Sequence, residues 1–342
     1  MRAAAYRRFG GPDTVGVEEV PRPSLGADDV LIKVHASTVS AADHRARSRE
    51  VPRGLGLLAA AGIGALRPKR PVLGMDVAGV VEAVGADVTR FAAGDEVIAM
   101  LGASFGGHAE YARIRADGAV ALKPRTMSFE DAVTLVFGGL TAHRFLQRAG
   151  VVPGAEVLVN GASGAVGTAA VQLAKEAGAH VTAVSSSRNR ELVLSLGADR
   201  VLDYDVADFA AEGVAYDVVL DAVGNASFER VAPILRPGGA LLLVVSDLRG
   251  VLTARSRSRS SGKRVITGPG PYQAYDLTFL ARLAETGRLR PVIDSTYGLD
   301  DIVDAHRYVD AGRKRGSVVL RIATENTSRT NTNITATEGN AP

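Results

Sequence analysis

Cysteine is absent from all 342 positions, and so is tryptophan. The first absence excludes disulfides, thiolate zinc sites and cysteine nucleophiles, and it fits a reducing compartment. Histidine occurs six times, and no two histidines show the spacing of paired metal ligands. No run approaches the roughly twenty apolar residues that a bilayer-spanning helix needs. The opening M-R-A-A-A-Y-R-R-F-G has no apolar signal core. The expectation is a cytoplasmic protein with no membrane partner. Charge of one sign is also lacking: the formal balance is +3, which by itself does not argue for nucleic acid. What remains is globular composition, 46% hydrophobic and 23% charged, at a length that suggests about two domains.

The stretch that organises the chain is Val157 to Gly167, V-L-V-N-G-A-S-G-A-V-G, with the helical run that follows it. A short buried strand, a glycine turn and a helix in this order form a cradle for a dinucleotide pyrophosphate. Gly161 admits a backbone conformation closed to other residues. Gly164 lets a phosphate approach the main chain, beside Ser163, and Gly167 permits close packing of helix on strand. The free N–H groups at the helix start, near Ala165 and Val166, face the anion. A second strand, His180 to Ser185, ends about twenty residues on, where such folds read the ribose. In place of Asp or Glu the chain has Ser185, Ser186, Ser187 and Arg188. Hydroxyls and a guanidinium suit a 2′-phosphate, so NADPH is the expected cofactor. The same residues also cap a following helix well.

Residues 1–124 show short alternating β-patterns, such as Val30–His35, Gly79–Val84 and Glu96–Ala99, with almost no helical period. From Ser128, which with Asp131 resembles a capping box, the chain turns helical, interrupted at Gly138-Gly139. Strands are then predicted at Glu156–Asn160, His180–Ser185, Tyr216–Asp221 and Ala240–Val245. Helices are predicted near Ala165–Ala177, Arg188–Leu196 and Ser227–Leu235. This alternation argues for a parallel sheet covered on both faces. Further on, a helix over Tyr275–Thr286, a strand at Val292–Tyr297, a helix over Leu299–Ala311 and a last strand at Ser317–Ile322 are expected.

Three stretches stand apart. Val51 to Pro71 is apolar in the middle and basic at both flanks: a loop and short helix on its own core, a lid over an apolar pocket, or a membrane-surface contact. Arg249 to Arg264 has six basic residues and no acid, and is expected to be an exposed, mobile loop; contact with an anionic ligand or RNA is the sharper alternative. Thr324 to Pro342 is Thr/Asn-rich and reads as a disordered tail.

The run of motifs resembles the medium-chain dehydrogenase/reductases, in their zinc-free, quinone-reductase-like branch. It comprises V-L-I-K-V-H-A-S-T-V-S-A-A-D (Val30–Asp43), P-V-L-G-M-D-V-A-G-V-V (Pro71–Val81), G-D-E-V (Gly94–Val97), G-G-L-T-A (Gly138–Ala142), N-G-A-S-G-A-V-G-T-A-A-V-Q-L-A-K (Asn160–Lys175), L-G-A-D (Leu196–Asp199), D-A-V-G (Asp221–Gly224) and A-H-R-Y-V (Ala305–Val309). The resemblance implies an α/β fold: a GroES-like β-domain from both chain ends plus a Rossmann domain with a doubly wound parallel sheet. The expected divisions are 1–124 for the first part of the GroES-like domain, 125–270 for the NADP-binding domain, 271–323 for the return and 324–342 for the tail.

Zinc-dependent relatives have a cysteine where this chain has Ser40, and G-H-E where it has Gly74-Met75-Asp76. The implied site therefore holds no metal. Without a Lewis acid, quinones and α,β-unsaturated carbonyls are the acceptors that need only hydrogen bonds and orientation. The resemblance implies NADPH-dependent hydride transfer to such an electrophilic small molecule. Ser40, Asp43 and His44 are candidates near the reacting groups. Thr141, Gly164, Ala165, Val166, Ser185, Arg188, Tyr204, Val223, Val244, Ser246 and Ser317 are implied to line the cofactor. An alcohol dehydrogenase or aldehyde reductase, and a non-catalytic NADPH-bound RNA-binding or sensor protein, are the competing readings. The family also suggests a homodimer through the edge strand near Val265.

Overall fold

The computed structural model describes residues 1–50, 54 and 56–322, with the backbone alone at 57–59. The expected disordered tail at 324–342 and four positions of the Val51–Pro71 stretch (51–53 and 55) lie outside the described residues.

Fifteen strands form three sheets among the described residues. A hairpin joins β1 (Arg2–Tyr6) to β2 (Val15–Glu19). The chain then lays down β3 (Asp29–Val39), α1 (Ala41–Ser48), α2 (Gly56–Ile63), β4 (Asp76–Val84), β5 (Glu96–Met100), β6 (Tyr111–Arg115) and β7 (Val120–Leu122). Next come α3 (Phe129–Val133), one π-helical turn (Leu135–Gly139) and α4 (Leu140–Ala149). The nucleotide-type unit follows: β8 (Glu156–Asn160), α5 (Ala165–Glu176), β9 (His180–Ser185), α6 (Arg190–Ser195), β10 (Arg200–Asp203), β11 (Tyr216–Asp221), α7 (Phe228–Val231), β12 (Leu235–Leu243), α8 (Leu248–Ser261) and β13 (Arg264–Thr267). The chain ends with α9 (Ala274–Glu285), β14 (Ile293–Gly298), α10 (Ile302–Asp310) and β15 (Ser317–Arg321).

Strands β10-β9-β8-β11-β12-β13 form one all-parallel sheet, the 3-2-1-4-5-6 order of a Rossmann domain. Val157, Leu158, Val159, Val219, Leu220, Leu241 and Leu242 are fully buried, as strands covered on both faces require. The order reverses between β8 and β11, and that switch point opens a crevice at the carboxyl ends of the strands. The second large sheet runs β14-β15-β3-β4-β5-β7, with β6 also on β3, so strands from both chain ends share it.

Two expectations are corrected. The first part of the chain is not free of helix: Ser40 caps α1, its Oγ accepting from the Ala42 and Asp43 amides while the Asp43 carboxylate accepts from the Ser40 amide. The Arg/Ser run is not a loop. Asp247 caps it by accepting from the Gly250 amide at 2.6 Å, Gly250 and Ala254 are buried, and Gly262 ends it in the left-handed region. Arginine forms helix readily, so one small-residue stripe against β13 suffices to order the segment. Two other predictions shift. Strand β10 lies beyond the predicted strands, and the Gly138-Gly139 interruption is a π-turn. A Cβ at Gly138 would stand 2.5 Å from the Ala165 carbonyl oxygen, so the glycine is what allows this turn against α5.

The β-domain buries an ionisable network. Asp76 accepts from the Thr38 amide (2.8 Å), the Thr38 hydroxyl (2.7 Å) and Ser37 Oγ, yet burial pushes its pKa up to about 7. His306, edge-on to His108, is fully buried with neither ring nitrogen hydrogen-bonded among the described residues, and burial pushes it down to about 2. The two oppose each other. The native state keeps the Asp76 proton after the unfolded chain releases it, so this contribution falls as pH rises from about 4 to about 7. The unfolded chain protonates His306 below about 6.5 while the native state does not, so this contribution rises with pH. Asp76→Asn removes only the falling part. Urea titrations across that window should show the variant gaining about 1.4 kcal/mol per pH unit relative to wild type. A pH-independent difference would contradict the assignment.

Candidate active site

The crevice at the switch point is a cavity of about 870 Å³. Its floor is the turn from β8 into α5. Gly161 stands at φ +81°, and a Cβ there would meet Val223 Cγ2 at 2.8 Å. Gly164 opens α5 without any side-chain cap, so the first-turn amides stay uncapped. Gly167 packs so tightly that a Cβ would lie 2.1 Å from the Gly161 carbonyl oxygen. Beside this turn, Asn160 Nδ2 donates to Asp221 Oδ1 (2.9 Å) and Asn225 Oδ1 (2.6 Å). The fully buried Asp221 carboxylate also accepts from the Val223, Gly224 and Ala226 amides, and so shapes the loop after β11.

At the β9 end, Ser185, Arg188 and Tyr204 line the cavity. Arg188 Nε donates to Ser186 Oγ, which also accepts from Asn189 Nδ2, and Asn189 reaches back to Ser163 Oγ at 3.0 Å. Acids stand nearby. Asp203 is engaged by the Ser187 and Asp205 amides, Asp208 pairs with Arg230 at 2.7 Å, and Asp205 itself borders the cavity.

The opposite wall comes from the β-domain. The Gly316 amide donates to the Ser163 carbonyl at 2.7 Å and Gly316 bridges Gly164, tying the two domains at the glycine turn. Lys314 lines the cavity and donates to the Gly316 carbonyl, with burial pushing its pKa down to about 8. Helix α1 turns Ala41, His44 and Arg45 to the cavity. His44 Nδ1 is hydrogen-bonded to Asp310 Oδ1 at 2.6 Å, and Arg47 donates to Asp310 Oδ2 and the Gly10 carbonyl. Half-buried Arg45 has no hydrogen-bond or ion-pair partner among the described residues, and burial lowers its pKa.

Of the residues singled out in the sequence, Gly161, Ser163, Gly164, Ala165, Val166, Ser185, Arg188, Tyr204 and Val223 come together around this cavity. Others stand back from it. Thr141 is buried on α4 against the Tyr272 hydroxyl, Ser186 anchors Arg188, and Val244 and Ser246 follow the end of β12. Ser317 borders a separate void of about 10 Å³ behind Ala165. Ser40 and Asp43 are not among the residues that line the cavity. The Ser40 hydroxyl donates to Asp43 Oδ2 at 2.6 Å, Asp43 also accepts from the Gly74 amide at 2.8 Å, and both are buried away from the cavity. Arg45, Lys314 and Asn189 are what sequence reasoning missed. Only the helical spacing of α1, once recognised, would have pointed to Arg45.

The glycines separate packing from ligand approach. At Gly164, φ is −81° and a Cβ would find nothing nearer than the Gly161 carbonyl oxygen at 3.6 Å. Gly164→Ala should therefore melt like wild type and lose only dinucleotide affinity. Gly167→Ala should lower stability by more than about 3 kcal/mol, since backbone must move. Thermal melts paired with dinucleotide titrations check both, and equal destabilisation would contradict this division.

Comparison with known proteins agrees with this architecture. Residues 26–124 match the family model "Alcohol dehydrogenase GroES-like domain", and 196–320 match "Zinc-binding dehydrogenase". The chain is 35% identical to the chloroplastic quinone-oxidoreductase QR1 of Triphysaria versicolor, over 94% of this chain and 98% of that protein. It is 34% identical to the 2-methylene-furan-3-one reductase of Solanum lycopersicum, over 94% and 79% respectively. The solved quinone oxidoreductase of Coxiella burnetii superimposes with a TM-score of 0.84 at 28% identity, covering 94% of this chain and 99% of that one. The chain is thus an oxidoreductase belonging to the medium-chain dehydrogenase/reductase superfamily, in its quinone-reductase-like branch.

Proposed function

We propose that the protein is an NADPH-dependent reductase that passes hydride to a quinone or an α,β-unsaturated carbonyl, without a resident zinc. The observation that carries the cofactor choice is the β9 end. There Ser185, Ser186, Ser187 and Arg188 replace the expected acid, and Ser185 and Arg188 face the cavity. A 2′-phosphate would be held by the Arg188 guanidinium and the Ser185 hydroxyl, with Tyr204 beside the adenosine. The uncapped amides at the start of α5 would hold the pyrophosphate. The nicotinamide end would then fall toward Val223, Val244 and Ser246, past the ends of β11 and β12, with Thr141 and Ser317 behind it. When bound, the reduced dinucleotide supplies the hydride.

The acceptor class is supported by the relatives' names, which are those of quinone and furanone reductases. The donor set supports zinc independence. Ser40 spends its proton on Asp43, Met75 offers only a thioether, and among the described residues no three His, Asp or Glu side chains gather as a metal site would need. A conjugated acceptor asks less of the protein, because its own bonds spread the incoming charge. Arg45, unpaired among the described residues, is a cation that would hold the acceptor oxygen as charge builds on it, while Ser40 and Asp43 act as positioning residues that fix α1.

Spectrophotometry should show NADPH oxidised by a simple quinone or enone, with NADH much poorer. Arg188→Ala should lower kcat/KM for NADPH roughly 10- to 100-fold, the worth of one charge-assisted bond, and leave NADH nearly unchanged. Equal loss with both cofactors would sink the phosphate assignment.

A further inference from the structure

Two stretches remain outside the cofactor groove: the apolar, base-flanked run after Val51 and the Arg/Ser run after Arg249. The fold brings them together. A Cβ at Gly54 would lie 2.7 Å from Leu248 Cβ, so the approach to α2 rests on the first turn of α8. Between them is an open hollow of about 390 Å³, walled by Gly54, Asp247, Leu248, Leu252 and Thr253. It lies a few residues past the end of β12.

Helix α8 buries Gly250, Ala254 and most of Arg257, which pairs with Glu229 and lies over Phe228. Its outer side carries Val251 and Leu252, the latter 69% exposed, and then Arg255 and Arg259. Neither arginine has a partner among the described residues. Leu66 and Arg67, beyond α2, border a different hollow beside the β1–β2 hairpin, with Asp13 and Glu18, and are not part of this patch. No acid occurs from Leu248 to Arg264. The acids that meet α8 are engaged: Asp247 caps it and Glu229 holds Arg257.

We propose that this outer face of α8 docks on an anionic lipid bilayer as a peripheral contact. Phospholipid headgroups satisfy the arginines, and the acyl boundary takes the exposed Val251 and Leu252. A second copy fits less well, because a two-fold interface would set these arginines against their own images. RNA would satisfy the charges and leave these two apolar side chains in water.

Flotation of the full chain with vesicles tests it. Wild type should float with phosphatidylcholine vesicles that contain phosphatidylglycerol, stay down with phosphatidylcholine alone, and dissociate as salt rises. The double variant Arg255→Gln, Arg259→Gln should partition about 25-fold less, from about fivefold per base near the surface. Leu252→Ser should also weaken flotation. Both variants should take up NADPH as wild type does, which shows them folded. The proposal is overturned if wild type ignores the anionic vesicles or binds both kinds alike, or if the double variant floats undiminished. It is equally overturned if the same arginines capture single-stranded RNA but no lipid, or if Leu252→Ser splits a dimer without changing flotation.

Discussion

The contact on which the rest of the structure depends is the one at Gly167, where the first turn of α5 presses against the backbone of Gly161 and Ala162. Only hydrogen fits there. Because helix and turn are this close, the uncapped amides of α5 point into the crevice at the switch point instead of over the edge of the sheet. The left-handed Gly161 and the buried Asn160–Asp221 pair hold the same geometry from the strand side. The cost is local and backbone-made, so the side chains around it are left free to choose the ligand.

A groove alone would bind and release. What would make it a reaction site is the β-domain closing on the same turn, through Gly316 on Ser163 and Gly164. That single pairing sets Lys314 and, through α1, Arg45 across from the glycine turn. The cavity is therefore bounded by one wall of main-chain donors and one of cations. Burial depresses Arg45 and Lys314 in this second wall, which are carried by α1 and the segment leading to β15.

Much of this was legible in the chain. The limits of β8, β9 and β11 are those read from their β-branched runs, since each is local and ends at a glycine or a polar cap. The glycine turn was legible for the same reason: three glycines and a strand specify it without distant help. Helix α1 was not, because Asp43 and Arg47 sit inside it and break any apolar stripe; they are buried only because Gly74, Gly10 and Asp310 come to meet them. Ser40 was singled out from a motif, but its place as the cap of α1, hydrogen-bonded to Asp43, was not read. Helix α8 was hidden by its composition, since the one small side chain that packs, Ala254, is lost among arginines and serines. Arg45 and Lys314 depend on how two domains meet, which no local pattern encodes.

In the proposed reaction a reduced, phosphorylated nicotinamide held on the α5 turn would deliver hydride to carbon of a conjugated acceptor. The most direct measurement is turnover of an enone with NADPH deuterated at nicotinamide C4, followed by mass and NMR analysis of the product. The account predicts one deuterium on the carbon β to the carbonyl for one stereochemical form of the labelled cofactor, and none for the other. Unlabelled product from both forms, or NADPH that is never consumed, would contradict it.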